Sequence, residues 1–422
     1  VHGISPISGG HQRTLTGQPS ANAIPFDLKE PRIDQYNVTF EREIAWQVAL
    51  RASYLGTYMH NLITGRDLNM LPPSDIPWAT SIGDGVTACD PVNNGDCQPS
   101  PADIARLPYP NLGDSLESFG NFGHGYSNAF QLEAKRRFAG GFMFDANYTL
   151  LSQKASSVDS ANATLGGTAY NQFKPNNDFS IDSYVPRHRF IAYSIWEVPV
   201  GHGRKFGSSM PKFLDHVVGG WETSWQWFIK SGTGFTPYWY CDDCGNGGPI
   251  FLGNLASSAI DAIGDFNGTS FRPFLTGQSP QQKSNGQFFN PAAFDVPSVG
   301  ADVLDNPKVA KRNMLYGPGT WGVNLGVHKR FRFGERIVAD LGAEFNNLFN
   351  HPLFSPDSNG QDGDFANVGD FNVTVNPQTL KLNPIQPGDV NLNPNFGRLL
   401  TSYTQEGVDS RRTVRLKLRI TF

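Results

Sequence analysis

Apolar and polar residues alternate along most of this chain in stretches of about ten, the period of a β-strand with two unlike faces. At the C-terminus, Val414, Leu416, Leu418, Ile420 and Phe422 share one face, and Thr413, Arg415, Lys417, Arg419 and Thr421 share the other. Phe142, Phe144, Ala146, Tyr148 and Leu150 oppose Asp145, Asn147 and Thr149. Trp221, Thr223, Trp225, Trp227 and Ile229 oppose Glu222, Ser224, Gln226 and Lys230. Ile337, Ala339, Leu341, Ala343 and Phe345 oppose Asp340, Glu344 and Asn346. The pattern predicts nine strands, near 34–44, 47–57, 126–138, 142–151, 187–198, 219–230, 321–332, 336–347 and 411–422. The fifth is the least regular, because Ile191, Tyr193 and Ile195 sit on its otherwise polar face.

The connections between these strands decide the architecture. Short ones (Ala45-Trp46, Ala139-Gly140-Gly141, Phe333-Gly334-Glu335) alternate with long ones (58–125, 152–186, 231–320, 348–410). A compact soluble domain rarely tolerates such loops, whereas an outer-membrane barrel has short periplasmic turns and long extracellular loops. Strands of this length also suit a tilted crossing of a bilayer, which takes about 9–11 residues. Counting back from a last strand running into the periplasm, every short turn is periplasmic and every long loop extracellular. The one exception is 199–218, a longer stretch on the periplasmic side. The expectation is an all-β, antiparallel transmembrane β-barrel. Single-chain bacterial barrels have even strand numbers, so nine strands predict the C-terminal portion of a larger barrel over 34–422, with 1–33 the remnant of an extracellular loop.

Composition narrows the function. Only 17% of the 422 residues are charged and the net charge is −4, so the chain lacks the basic footprint of a nucleic-acid binder. Aromatic residues make up 12% and there are 45 Gly and 30 Pro, a turn-rich composition unlike that of a helical array. No apolar run reaches the ~18 residues of a transmembrane helix. The cysteines form two close pairs in polar sequence, Cys89 with Cys97 and Cys241 with Cys244. Close pairs of this kind point to an oxidising compartment and structural disulfides.

Motifs with chemical associations have plainer readings in this context. Gly317-Pro318-Gly319-Thr320-Trp321-Gly322 has the G-x-G-x-x-G spacing, but a dinucleotide site needs a strand before it and a helix after it. Here a loop precedes and a strand follows. Ser209-Met210-Pro211-Lys212 has the S-x-x-K spacing without S-D-N or K-T-G elsewhere. Cys241-Asp242-Asp243-Cys244 lies in a Gly- and aromatic-rich loop; a redox pair would open a helix and a zinc site needs two more ligands. Asp357, Asn359, Asp362 and Asp364 place oxygens as a calcium loop does, but without its sixth-position Gly and twelfth-position Glu. The string reads as a solvated turn, with surface calcium binding as the alternative. His188 between Arg187 and Arg189 reads as a strand-start rim residue. Arg415, Lys417 and Arg419 are expected to face the lumen and pair with Asp340 and Glu344. Trp221, Trp225 and Trp227, with Tyr193 and Trp196 nearby, fit a lipid-facing aromatic girdle better than a sugar platform. No catalytic residue and no cofactor site is expected.

Several strings in fixed order resemble the C-terminal barrel of TonB-dependent outer-membrane receptors, most closely the Oar-like group of Gram-negative bacteria. They include Gln35-Tyr36-Asn37-Val38, Glu41-Arg42-Glu43, Ser53-Tyr54-Leu55-Gly56, Arg136-Arg137-Phe138 before Gly140-Gly141, and Asn147-Tyr148-Thr149. Further along come Pro186 to Phe190, Pro199 to Phe206, Gly219-Gly220-Trp221 and Glu344 to Pro352. Val414, Leu416, Leu418, Ile420 and the terminal Phe422 look like the signal read by the barrel assembly machinery. The resemblance implies 22 strands around an N-terminal plug, a TonB-binding segment and a carboxypeptidase-regulatory-like domain. None of these N-terminal parts is found in this chain. It implies capture of a solute (saccharide, peptide or siderophore) by surface loops, then energy-coupled passage; loops 58–125, 231–320 and 348–410, rich in Asn, Gly and aromatic residues, are the expected contact regions. Two other readings stay open at this level: a barrel-anchored adhesin or passive porin, and a secreted soluble β-sandwich binding module.

Overall fold

The computed structural model describes residues 21–23, 26–68, 108–109, 116–156, 171, 173–181, 185–241, 270–284, 287–297, 304–333, 337–352, 354, 365–372, 383–399 and 411–422. Nine strands follow one another as a single antiparallel meander. They are β1 (Arg32–Ile44), β2 (Val48–Asp67), β3 (Leu116–Ala139), β4 (Phe142–Ala155), β5 (His188–Glu197), β6 (Trp221–Lys230), β7 (Thr320–Phe333), β8 (Ile337–Asn346) and β9 (Thr413–Thr421). Among the described residues β1 and β9 are each paired on one side only.

Register places the alternating residues of all nine strands on two common faces. Across one row Phe40 pairs with Ala52, Ala52 with Leu132, Leu132 with Tyr148 and Tyr148 with Phe190. The row continues through Phe190 with Ile229 and Ile229 with Trp321. At the other end of the sheet Leu341 pairs with Leu418 and Ala343 with Leu416. The apolar face is therefore continuous from β1 to β9. Many of its large side chains are open to the surroundings, Leu416 to 80% and Leu418 to 67%, so this face is not a protein core. Aromatic residues gather towards both of its ends. Phe331 and Trp321 on β7 are ten residues apart, about 33 Å along a strand or roughly 25 Å in height at barrel tilt.

At one end the connections are short. Gly140 and Gly141 have φ of 61° and 79°, the left-handed pair of a two-residue type I′ hairpin. Ala45–Gln47 makes a tight turn in which Trp46 and Gln47 take left-handed φ of 62° and 61°, and Trp46 is 84% exposed. The longer connection expected at this end carries a bridge between Val200 and Phe206 and then a short helix, α1 (Lys212–Val218).

At the opposite end β2 and β3 run on well past the predicted 57 and 126, pairing as far as Asp67 with Glu117. The alternation fades there because side chains no longer have to match an apolar phase, while backbone pairing needs only a partner strand. The ladder slips between Met59 and Thr64, where Asn61 takes a left-handed φ of 55°. Ala21–Ala23 pairs with Leu116–Ser118 at this same end.

The described parts of the long connections 231–320 and 348–410 build a second lobe with its own core. Trp239, Cys241, Phe271, Phe289, Phe294, Leu315, Phe365, Val368, Phe371 and Phe396 are buried together. Tyr238–Cys241, Ser270–Phe271, Asn367–Phe371 and Val390–Leu392 form a four-stranded sheet inside it. Gly369 sits where a Cβ would come within 2.3 Å of the Asn391 carbonyl oxygen and 2.7 Å of the Trp239 ring, so only glycine fits there. The 152–186 connection is bolted to this lobe: Asp178 and Arg272 form an ion pair with both side chains buried. Arg312 donates through Nη2 to the Ala155 carbonyl at 2.7 Å, and Asn313 through Nδ2 to the Ile181 carbonyl at 2.8 Å.

Candidate functional site

The polar face of the meander carries the charged groups, brought together by register from strands distant in sequence. Near β1–β4, Glu41 pairs with Arg51 and Arg51 with Glu133 in the ladder, and Arg51 Nη1 lies 3.8 Å from Glu133 Oε2. Thr39 and Ser53 share a hydroxyl hydrogen bond at 3.0 Å. Thr39, Arg51, Ser53 and Glu133 line a recess of about 230 Å³ together with Asn37, Gln131, Asn147 and Thr149. Beside it Asp145, almost fully buried, accepts from Asn147 Nδ2 at 2.8 Å and from the Tyr193 hydroxyl at 3.1 Å, and faces Lys135 Nζ at 3.4 Å. Tyr193 is thus no irregularity of β5: its ring crosses the polar face to reach a carboxylate. Ile191 lies on the same face, level with Phe228, whose ring covers Gly322.

A second charged group lies across β7–β9. Arg330 Nε donates to Asp340 Oδ1 at 2.7 Å, and Lys417 pairs with Glu344. Arg415 and Arg419 stand level with Glu344 and Asp340 in the ladder. The five residues picked out in the sequence therefore share one face. Arg330, which takes Asp340, was not among them; its place opposite Asp340 in a short hairpin was the available signal. Between the two charged groups Asn324 Nδ2 donates to Gln226 Oε1 at 3.2 Å. The face offers donors and acceptors, most of them exposed, and Glu133, Asp145, Asp340 and Glu344 each stand beside a cation. Such a surface is able to exchange hydrogen bonds with water or polar groups. Among the described residues no three His, Cys, Asp or Glu are grouped to hold a metal.

Residues 3–386 match the family described as outer membrane beta barrel domain. The chain belongs to that family. As an outer membrane beta barrel protein it is located in the outer membrane, and the bilayer is the phase its apolar face meets. Its fold is also similar to the outer membrane transporter YddB from Escherichia coli, with 9% sequence identity and a TM-score of 0.35 over 79% of this chain. The chain spans 31% of that transporter's length. No curated protein matches it.

In this outer membrane beta barrel protein, Trp225 and Trp227 stack at 6.1 Å on the apolar face, with Trp196 on the same side and Tyr193 on the other. These rings do not form one platform. His188 opens β5 and shares a 2.8 Å hydrogen bond with the Tyr148 hydroxyl. Ser209 precedes α1, whose first residue is Lys212, so the S-x-x-K pair does not stand one turn apart on a helix. A strand follows Gly319, as expected. Cys241 is fully buried and disulfide-bonded. Cys89, Cys97 and Cys244 lie outside the described residues, as do Asp357, Asn359, Asp362 and Asp364.

Proposed function

We propose that this chain is the C-terminal barrel portion of a TonB-dependent, Oar-like receptor that binds a solute outside the cell and passes it inward by energy coupling. The observation that supports it most is the contrast of the two sheet faces: one apolar without a break over nine strands, the other lined by paired charges and amides. In this reading the sheet continues beyond β1 and closes as a 22-stranded barrel. Arg415, Lys417, Arg419, Asp340 and Glu344 face the lumen, the short turns are periplasmic, and the second lobe stands outside the cell. Residues 1–33 end an extracellular loop and 34–422 supply the barrel staves. The plug and TonB-binding segment belong to other parts of the full protein, and Val414 to Phe422 direct assembly. The chain binds and gates; it carries out no covalent chemistry.

The deciding experiment compares source cells lacking this gene with cells lacking TonB, each grown on single polysaccharides, peptides or ferric siderophores. The two deletions are expected to share a defect on one solute. If uptake of that solute needs this gene but not TonB, energy coupling is wrong and the passive-porin reading takes its place. An unpartnered apolar band of this extent also predicts that the purified protein aggregates without detergent.

A further inference from the structure

The apolar surface does not stop at the ends of the strands. At the short-turn end α1 carries Phe213, Leu214, Val217 and Val218, all exposed, Phe213 to 83% and Val217 to 58%. At ~100° per residue the four occupy a stripe about 140° wide, with Lys212, Asp215 and His216 outside it. A helix of seven residues has no stability of its own in water. Two sets of contacts fix it in place. Asp215 Oδ1 accepts from the His202 backbone N–H at 2.6 Å, which ties the polar side to its own connection. Lys329 lies on the apolar face of β7, only 5% exposed, and donates to the Val217 carbonyl at 3.1 Å and to the Gly219 carbonyl. Its ammonium also sits 5.3 Å from the Trp221 ring centroid and 5.0 Å from that of Phe331. Trp221 Nε1 donates to the same Val217 carbonyl at 3.0 Å.

Lys329 is a cation on the face that meets the bilayer, bent along that face to the negative end of a helix. Because Lys329 and Trp221 both belong to the apolar face, the helix terminus they hold stands on the bilayer side of the rim. We propose that α1 is an interfacial helix whose apolar stripe enters the lipid leaflet at the short-turn end. The occupant of the stripe is lipid: the stripe continues the bilayer-facing surface, and Lys212, Asp215 and His216 lie on the other side of the helix, as in helices that lie in a membrane interface. The inference rests on the outer-membrane location and does not depend on TonB coupling or on the solute.

The test places a photo-crosslinking benzoylphenylalanine at position 213, and separately at 212, in the full protein assembled in native outer membranes. Irradiation is expected to give phospholipid adducts from 213 and few from 212. Lys329→Met is expected to reduce the adduct at 213 several-fold while the unboiled protein still migrates as folded. Adducts of 213 to another protein would overturn the proposal in favour of a protein-docking helix. Equal lipid adducts from both positions, or none from 213 in folded protein, would overturn it as well.

Discussion

Adjacent residues of β9 meet opposite surroundings, and that is where the membrane assignment is most exposed to test. Leu416 lies level with Ala343 on the apolar face, while Lys417 is on the polar face and pairs with Glu344. A charge on a lipid-facing strand near the bilayer midplane costs about 2–4 kcal/mol. Leu416→Arg is therefore expected to lower the yield of heat-modifiable protein in the outer membrane. Lys417→Gln, one residue away, is expected to leave that yield unchanged, since an exposed ion pair contributes little. Equal yields for the two variants would contradict the assignment of faces. Much at this scale was readable from alternation alone, including Ile191, Tyr193 and Ile195 as residues out of pattern. What alternation could not say is why they are there, since Tyr193 answers to Asp145 and Ile191 to Phe228, contacts made only once register is fixed. The Asp178–Arg272 pair was not readable at all: the two are 94 residues apart in irregular sequence.

Strands were legible where the bilayer imposes a period on them and illegible where it stops. All nine strand centres follow from alternation, yet β2 and β3 continue ten or so residues further, as a ladder with no such imposed alternation. α1 was missed for a related reason: seven residues show less than two turns of periodicity, and the tethers that hold it, Lys329 and Trp221, come from other elements. Turns were better marked. Gly140 sits at φ 61° with open space where a Cβ would point, so backbone conformation alone demands glycine there. Gly140→Val, β-branched in the left-handed region, is expected to destabilise the β3–β4 hairpin by about 1–2 kcal/mol. Gly140→Asn, which tolerates that region, is expected to cost less. Guanidinium unfolding of the two variants in detergent checks the order; a Val variant as stable as the Asn variant would mean that the turn relaxes to another type.

The molecule as a whole joins two kinds of folding unit, and only one of them was visible beforehand. The meander has no protein core of its own on its apolar face; its order comes from continuous strand pairing and from the bilayer. The lobe made by the described parts of 231–320 and 348–410 is the reverse, short strands around a buried aromatic cluster. Aromatic residues in these long loops suggest ligand contact, but Trp239, Phe271, Phe289, Phe371 and Phe396 are fully buried in one cluster, Phe289 and Phe365 with centroids 4.7 Å apart. Aromatic content marks a core as readily as a binding surface, and without a period nothing in the sequence separates the two. The buried cluster draws no residue from the nine strands, so lobe and sheet are expected to open as separate cooperative units. Truncating a buried phenylalanine costs about 3–5 kcal/mol, enough to loosen a lobe of this size. Phe371→Ala is accordingly expected to make the lobe sensitive to protease added outside intact cells, while the remaining barrel keeps its heat-modifiable mobility. If lobe and barrel are lost together at the same protease concentration, the two form one cooperative unit, and the lobe then acts as a structural closure of the sheet instead of a domain mounted on it.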